Sequence, residues 1–229
     1  MKRLSGLRLK VADPEPLIAF YTGVMGMKAE WDGAVWRLGY VGADADLILV
    51  PGGADYAHSR DQRYWKIGVT LPNLDLAYAQ LKAAGVEVSE PRQFLDIGYM
   101  AHLSDPAGFV IELLQWDFNG NRPADAGDPA LPLGGQARIG QITLRTGNMV
   151  AERDAHPDMR LLSVQDVADY GFDLHFLAYT DETPPVADVT AVANREWLWK
   201  RPYTVLEFQH FPGARFAATP AFDGLEVTE

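Results

Sequence analysis

Gln141 and Glu207 offer an amide oxygen and a carboxylate, the hard donors that a divalent metal takes. Each stands in a run where apolar and polar residues alternate, the mark of a half-buried strand. Strand side chains change face at every residue, so Gln141 shares a face with Thr143 and Arg145, and Glu207 with Val205 and Gln209. His210, an imidazole close to Glu207 in the chain, falls on the opposite face and is a poor ligand. Two donors hold an ion weakly, so a complete site needs more. A second group carries a different chemistry. Lys66 shares its face with Gly68 and Thr70, and Glu112 with Val110 and Leu114, while Arg8 and His102 are placed on the inward side of the same predicted cavity. Lysine is a cation at neutral pH and repels a metal. Arg8, Lys66, His102 and Glu112 would together seat a small anionic or aromatic ligand. The competing reading is that Lys66 and Glu112 form a structural ion pair.

The elements that must position these residues repeat. Leu7, Leu9 and Val11 alternate with Arg8 and Lys10 as a strand. A helix follows from Asp13-Pro14, with Leu17, Phe20, Tyr21 and Val24 on one stripe and Gly26 as its stop. Short strands are predicted at 27–31, 35–41 and 46–50. The order recurs with a strand at 65–71, an N-cap at Asn73, a helical stripe of Leu74, Ala77, Tyr78 and Leu81, and Gly85 as the stop. Strands near 86–88, 99–103 and 109–115 complete it, the last two joined by the turn Asp105-Pro106-Ala107-Gly108. Residues 118–137, rich in Gly, Pro and Asp, read as a linker. The order begins a third time with a strand around Gln141, a short helix at 149–155, strands at 161–164 and 172–179, a helical turn at 189–197 and a strand at 203–210. The segment 211–229 reads as an irregular tail.

Composition limits the function. The chain of 229 residues is 48% hydrophobic, enough for a sizeable core, and has no cysteine, so any metal must use nitrogen or oxygen ligands. The net charge of −11 argues against nucleic acid as partner. No stretch of roughly 18 apolar residues suggests a membrane span, and a cytoplasmic protein without a membrane partner is the expectation.

The passages LRLKVADPEPLIAFYTGVMGM, KIGVTLPNLDLAYAQLKAAGV and HLSDPAGFVIELLQ resemble the vicinal oxygen chelate superfamily, which includes glyoxalase I, extradiol dioxygenases and bleomycin resistance proteins. GQITLRT and REWLWKRPYTVLEFQH make residues 140–210 most similar to the N-terminal half of glyoxalase I. The resemblance implies an α+β fold of tandem βαβββ modules, three in this chain, whose sheets curl into half-open barrels. It implies a complete two-module domain at 1–117, a linker at 118–137, and a single-module half-domain plus tail at 138–229. It also implies one metal ligand from the first and last strand of each module. Those positions fall on Gly6 and about Ile48, on Lys66 and Glu112, and on Gln141 and Glu207. The third module is thus expected to dimerise and to complete a zinc, nickel, manganese or iron site with its symmetry mates, with no organic cofactor. Glu207 would be both metal ligand and general base in a lyase or isomerase acting on a small oxygenated substrate. The alternative is a metal-free, resistance-type binding protein using the N-terminal cavity. Dioxygenase chemistry fares worse, because no pair of histidines with a carboxylate occupies those strand positions. His58, Arg60 and Arg63 lie in a loop that either stays solvated or covers the cavity mouth, and Trp197 and Trp199 are expected in a core or interface.

Overall fold

The computed structural model describes residues 2–229. The first segment runs Arg3–Val11 (β1), Glu15–Gly23 (α1), Lys28–Trp31 (β2), Trp36–Gly39 (β3) and Asp46–Pro51 (β4). The second runs Tyr64–Leu71 (β5), Leu74–Ala83 (α2), Arg92–Phe94 (β6), Gly98–Ser104 (β7) and Val110–Gln115 (β8). The third comprises Arg138–Thr146 (β9), Met149–Ala155 (α3), Arg160–Val167 (β10), Phe172–Ala178 (β11), Ala193–Trp199 (α4) and Val205–His210 (β12). Phe222–Thr228 (β13) follows. Local signals set several boundaries. The Asn73 side chain accepts from Leu76 N at the start of α2, and Asn148 accepts from Ala151 N at the start of α3. Asp105 closes the β7–β8 turn by accepting from the backbone of Ala107 and Phe109.

The strands form two sheets. One has five strands in the order β13-β1-β4-β3-β2, and the other has eight in the order β10-β11-β12-β9-β5-β8-β7-β6. The second segment therefore joins the third, through antiparallel pairing of β5 with β9, and not the first. This corrects the expectation of a complete domain at 1–117 and a separate half-domain after it. The β5–β9 pairing brings Lys66 on β5 to Glu207, and Glu112 on β8 to Gln141, opposite charges and matched polar groups, whereas β1 carries two further cations, Arg8 and Lys10. The predicted linker is not a tether either. Asn73 Nδ2 donates to Ala126 O, Gln80 donates to Pro129 O and Leu131 O, and Leu133 is buried. Docked on α2 in this way, it delivers β9 alongside β5.

The tail is a second correction. Phe222–Thr228 pairs antiparallel with β1 and turns it into an interior strand. The main core fills the space between the five-stranded sheet, the helices and the convex face of the larger sheet, with Leu7, Leu47, Leu74, Ile111, Ile142 and Phe208 at its centre. A smaller cluster of Ile97, Met100, Leu114, Phe176 and Trp199 lies on the concave side. It closes one end of the curled sheet, with Trp199 from α4 as its largest member, which places that residue in a core as expected. No helix among the described residues is long and apolar enough to cross a membrane.

Candidate functional site

The concave face can be built from ladder register. Strands in a sheet stand about 4.8 Å apart, and residues opposite one another share a face. One row reads His102, Glu112, Gly68 and Gln141 across β7, β8, β5 and β9. The next reads Val110, Lys66, Thr143, Glu207 and Phe176 across β8, β5, β9, β12 and β11. A third holds Arg145 beside Gln209 and Leu174. Four of the expected site residues, Lys66, Glu112, Gln141 and Glu207, thus meet at the floor of one cup within a single chain, and His102 joins them from its wall. Arg8 does not. It lies on the five-stranded sheet, paired with Asp223 at 3.2 Å, because β1 belongs to the other sheet.

Lys66 Nζ donates to Glu112 Oε1 at 2.8 Å and to Glu207 Oε2 at 3.1 Å, and both the lysine and the Glu207 side chain are only 2% exposed. Gln141 Nε2 donates to Glu112 Oε1 at 2.6 Å, and Thr143 Oγ1 donates to Glu207 Oε2 at 2.5 Å. His102 Nε2 lies 3.0 Å from Glu112 Oε2. Burial alone would depress the Lys66 pKa, but the two carboxylates outweigh it and raise the value, so the side chain stays an ammonium. Burial works against ionised Glu112 as well, yet Lys66 and His102 hold it well below the usual carboxylate range. Glu207 goes the other way, raised by burial, with the Glu112 charge adding to the effect against the pull of Lys66.

Gly68 leaves the room this cluster occupies. A Cβ there would overlap Gln141 Cγ and stand 2.6 Å from its Cδ. Gly68→Ala is therefore expected to lower stability by about 1–3 kcal/mol, as overpacking does. Urea unfolding would show it as a lower midpoint at an unchanged m value. A β-bulge supplies another site residue. Between Tyr64 and Lys66 the β5–β9 register shifts, so Tyr64 points into the main core while Trp65 turns toward the cup beside Lys66. The Trp65 ring receives Lys66 Nζ at 4.6 Å and the Arg145 guanidinium at 4.9 Å. Strict alternation conceals such a bulge, and sequence reasoning missed Trp65.

The cup holds 790 Å³, within the range usual for small-molecule sites. Its closed end is the aromatic and aliphatic cluster around Phe176 and Trp199. Its open end is basic, with His58 and Arg60 from the 52–63 loop and Arg215 from beyond β12 lining it. His58, Arg60 and Asp61 of the 52–63 loop line the mouth and are exposed to solvent, while Arg63 pairs through both terminal guanidinium nitrogens with Glu152 of α3. Arg145 stands at this end. It donates to Gln209 Oε1 and to the backbone oxygens of Ser59 and Gln62, and no carboxylate lies within ion-pair distance among the described residues. Burial pulls its pKa down to about 10, opposed by Tyr56 and, more weakly, by Asp61, an exposed loop residue. Burial also lowers the pKa of His58, with Arg145 and Arg60 adding to the shift.

The floor does not fit a divalent metal. An ion there would need the oxygens of Glu112, Glu207 and Gln141 plus a fourth donor, but the fourth residue is an ammonium without a lone pair, seated between the two carboxylates. The expected symmetry mates are replaced by Lys66 and Glu112 of the same chain, so a second copy is not needed to complete the set. Two histidines and a carboxylate do gather elsewhere. Asp173, His175 and His210 have potential donor atoms within 4.8 Å of one another, on the convex face of the same sheet. His210 therefore points away from Glu207, as parity required. Asp173 Oδ1 is already 2.5 Å from His175 Nε2 and 3.1 Å from His210 Nδ1, which accounts for the grouping as hydrogen bonds.

The larger sheet thus curls into a half-open barrel around a cavity with a charged floor, an apolar end and a basic mouth. The glyoxalase/bleomycin resistance protein/dioxygenase superfamily model matches residues 3–113. A probable lactoylglutathione lyase of Vibrio cholerae is 31% identical over 138 residues, spanning 55% of this chain and 95% of that protein. The chain belongs to this superfamily. Glyoxalase I from Zea mays shares the fold at a TM-score of 0.69 and 19% identity, covering 99% of this chain and 74% of the maize chain. A point mutant of the maize enzyme, in a tetragonal crystal form, gives a TM-score of 0.70 at 20% identity, over 99% of this chain and 75% of that one.

Proposed function

We propose that this protein binds a small, oxygenated, anionic molecule in the cup between its second and third segments, with no metal in the site. Arg145 carries the reading. A buried guanidinium without a carboxylate is costly in a fold, and more so in a chain of net charge −11 that has acids to spare. A ligand anion supplies the missing counter-charge. The other charged lining residues favour the same sign, since Arg60, Lys66, Arg92 and Arg215 outnumber Asp61, Glu112 and Glu207. The rings at the closed end suit an apolar or aromatic body behind the anionic group.

Quenching of tryptophan fluorescence tests this, because Trp65 and Trp199 line the cup. Naphthalene-2-carboxylate is expected to bind more tightly than the neutral carboxamide of the same shape. Arg145→Gln is expected to weaken the carboxylate by about 10-fold or more and to leave the carboxamide unchanged, the scale of a hydrogen bond to a charged group. Equal binding of the two probes to the wild type would sink the anion reading, as would an undiminished preference in Arg145→Gln.

One observation favours turnover as well as binding. The two floor carboxylates are driven apart, Glu112 below and Glu207 above the ordinary carboxylate value, and such a split distinguishes their acid and base roles. In that reading Glu207, ionised, takes a proton from a carbon beside a carbonyl and returns it from the carboxylic acid so formed to a neighbouring carbon, while the Lys66 ammonium faces the oxygen that gains charge. Glu207→Gln would then abolish turnover while ligand affinity stays within a few-fold of wild type.

A further inference from the structure

We infer that the Lys66 ammonium is a built-in replacement for a divalent cation, and that this one side chain keeps an otherwise complete metal site closed. The inference does not depend on which ligand the cup takes. Register shows the equivalence. On β8, Glu112 pairs with the residue two beyond Lys66, and on β12, Glu207 pairs with the residue two beyond Gln141. Lys66 is thus the structural counterpart of Gln141, and Glu112 of Glu207, about a local two-fold between β5 and β9. One member of a four-donor set is a cation, and its nitrogen lies between the carboxylates of the other pair.

The remaining three donors are intact. Gln141 Nε2 is fixed by its bond to Glu112, which leaves Gln141 Oε1 buried with no hydrogen-bond partner. That acceptor, beside two carboxylates, has its lone pairs free to face a cation. The substitution is also incomplete in charge. A divalent ion would balance both carboxylates, whereas one ammonium balances one, and the only further basic side chain at the floor, His102, reaches Glu112 and not Glu207.

A neutral nitrogen donor at position 66 should therefore open the site. Lys66→His is expected to bind one equivalent of Co2+ or Ni2+ at pH 8, at least about 100-fold more tightly than wild type, beyond what changes outside the ligand shell achieve. Calorimetry and the Co2+ absorption bands read this directly. Lys66→His with Glu207→Gln should lose the binding, which locates the ion on the cup floor and not at Asp173, His175 and His210. Lys66→Met, which removes the charge without adding a donor, should gain nothing. A folded Lys66→His protein with no Glu207-dependent binding overturns the inference. Should that variant not fold, the wild type decides alone. Stoichiometric Co2+ binding lost in Glu207→Gln overturns the inference, while a melting temperature unmoved by both saturating Co2+ and a chelator upholds it.

Discussion

Replacing Lys66 with methionine is expected to lower stability by about 3–5 kcal/mol at neutral pH, the cost of leaving a buried charge without its partner. Two carboxylates share this ammonium, and neither has a second cation at comparable burial, since His102 is more than a third exposed. The loss should depend on pH in a defined direction. In the wild type the fold holds Glu112 below its ordinary value of 4.5, so its contribution is present above that value and is lost as pH falls below it. Without the ammonium, burial dominates at both carboxylates and the fold favours their protonated forms. The variant then gains stability through both carboxylates on acidification to pH 5, whereas in the wild type only the raised Glu207 acts in that direction and the Glu112 contribution is still intact. Urea unfolding at pH 7.5 and pH 5 should show a deficit that shrinks at the lower pH. A deficit equal at both values, or one below about 1 kcal/mol at pH 7.5, would show that the cluster does not hold the two halves of the cup together.

Trp199→Ala is expected to be comparably damaging, about 3–5 kcal/mol for removal of a large buried aromatic. The side chain is 2% exposed, stands edge-on to Phe176 with ring centroids 5.2 Å apart, and donates from Nε1 to Ile97 O at 3.1 Å. It therefore ties α4 of the third segment to the β6–β7 connection of the second. Helix α4 has seven residues and no side-chain cap at its N-terminus, so packing must hold it in place. Truncation should also lengthen the cup at its apolar end and raise its preference for bulkier aromatic probes. Trp199→Phe, which keeps the ring but not the indole N–H, should recover most of the stability. Similar unfolding midpoints for Trp199→Ala and wild type would remove the closed end from the description of the site.

Much of the local structure could be read from the residues, because the relevant physics is local. Alternation placed Gln141, Thr143 and Arg145 on one face, and His210 away from Glu207. Asn73 marked the start of α2, and Asp105 the turn before β8. What alternation leaves open is which sheet edge meets which. Period two states that β5 has a polar face and says nothing of whether β1 or β9 will lie beside it. That choice depends on Lys66 meeting Glu207 across 141 positions of chain, a contact no local window contains. The same applies to β13, whose weak alternation acquires meaning only beside β1. Val88 forms a single bridge to Leu103, and the paired strand comes a few residues later at Arg92–Phe94.

The pairing of β13 with β1 has a consequence for how the molecule is made. Arg3 lies opposite Thr228, so β1 leaves the ribosome long before the strand that flanks it. Until Phe222–Thr228 has been translated, β1 has β4 on one side and an open row of amides and carbonyls on the other. A nascent chain in that interval presents a ready template for another strand, and holdase chaperones would engage it there. Ribosome-bound chains halted just before residue 222 should therefore recruit such chaperones more strongly than chains released after residue 228.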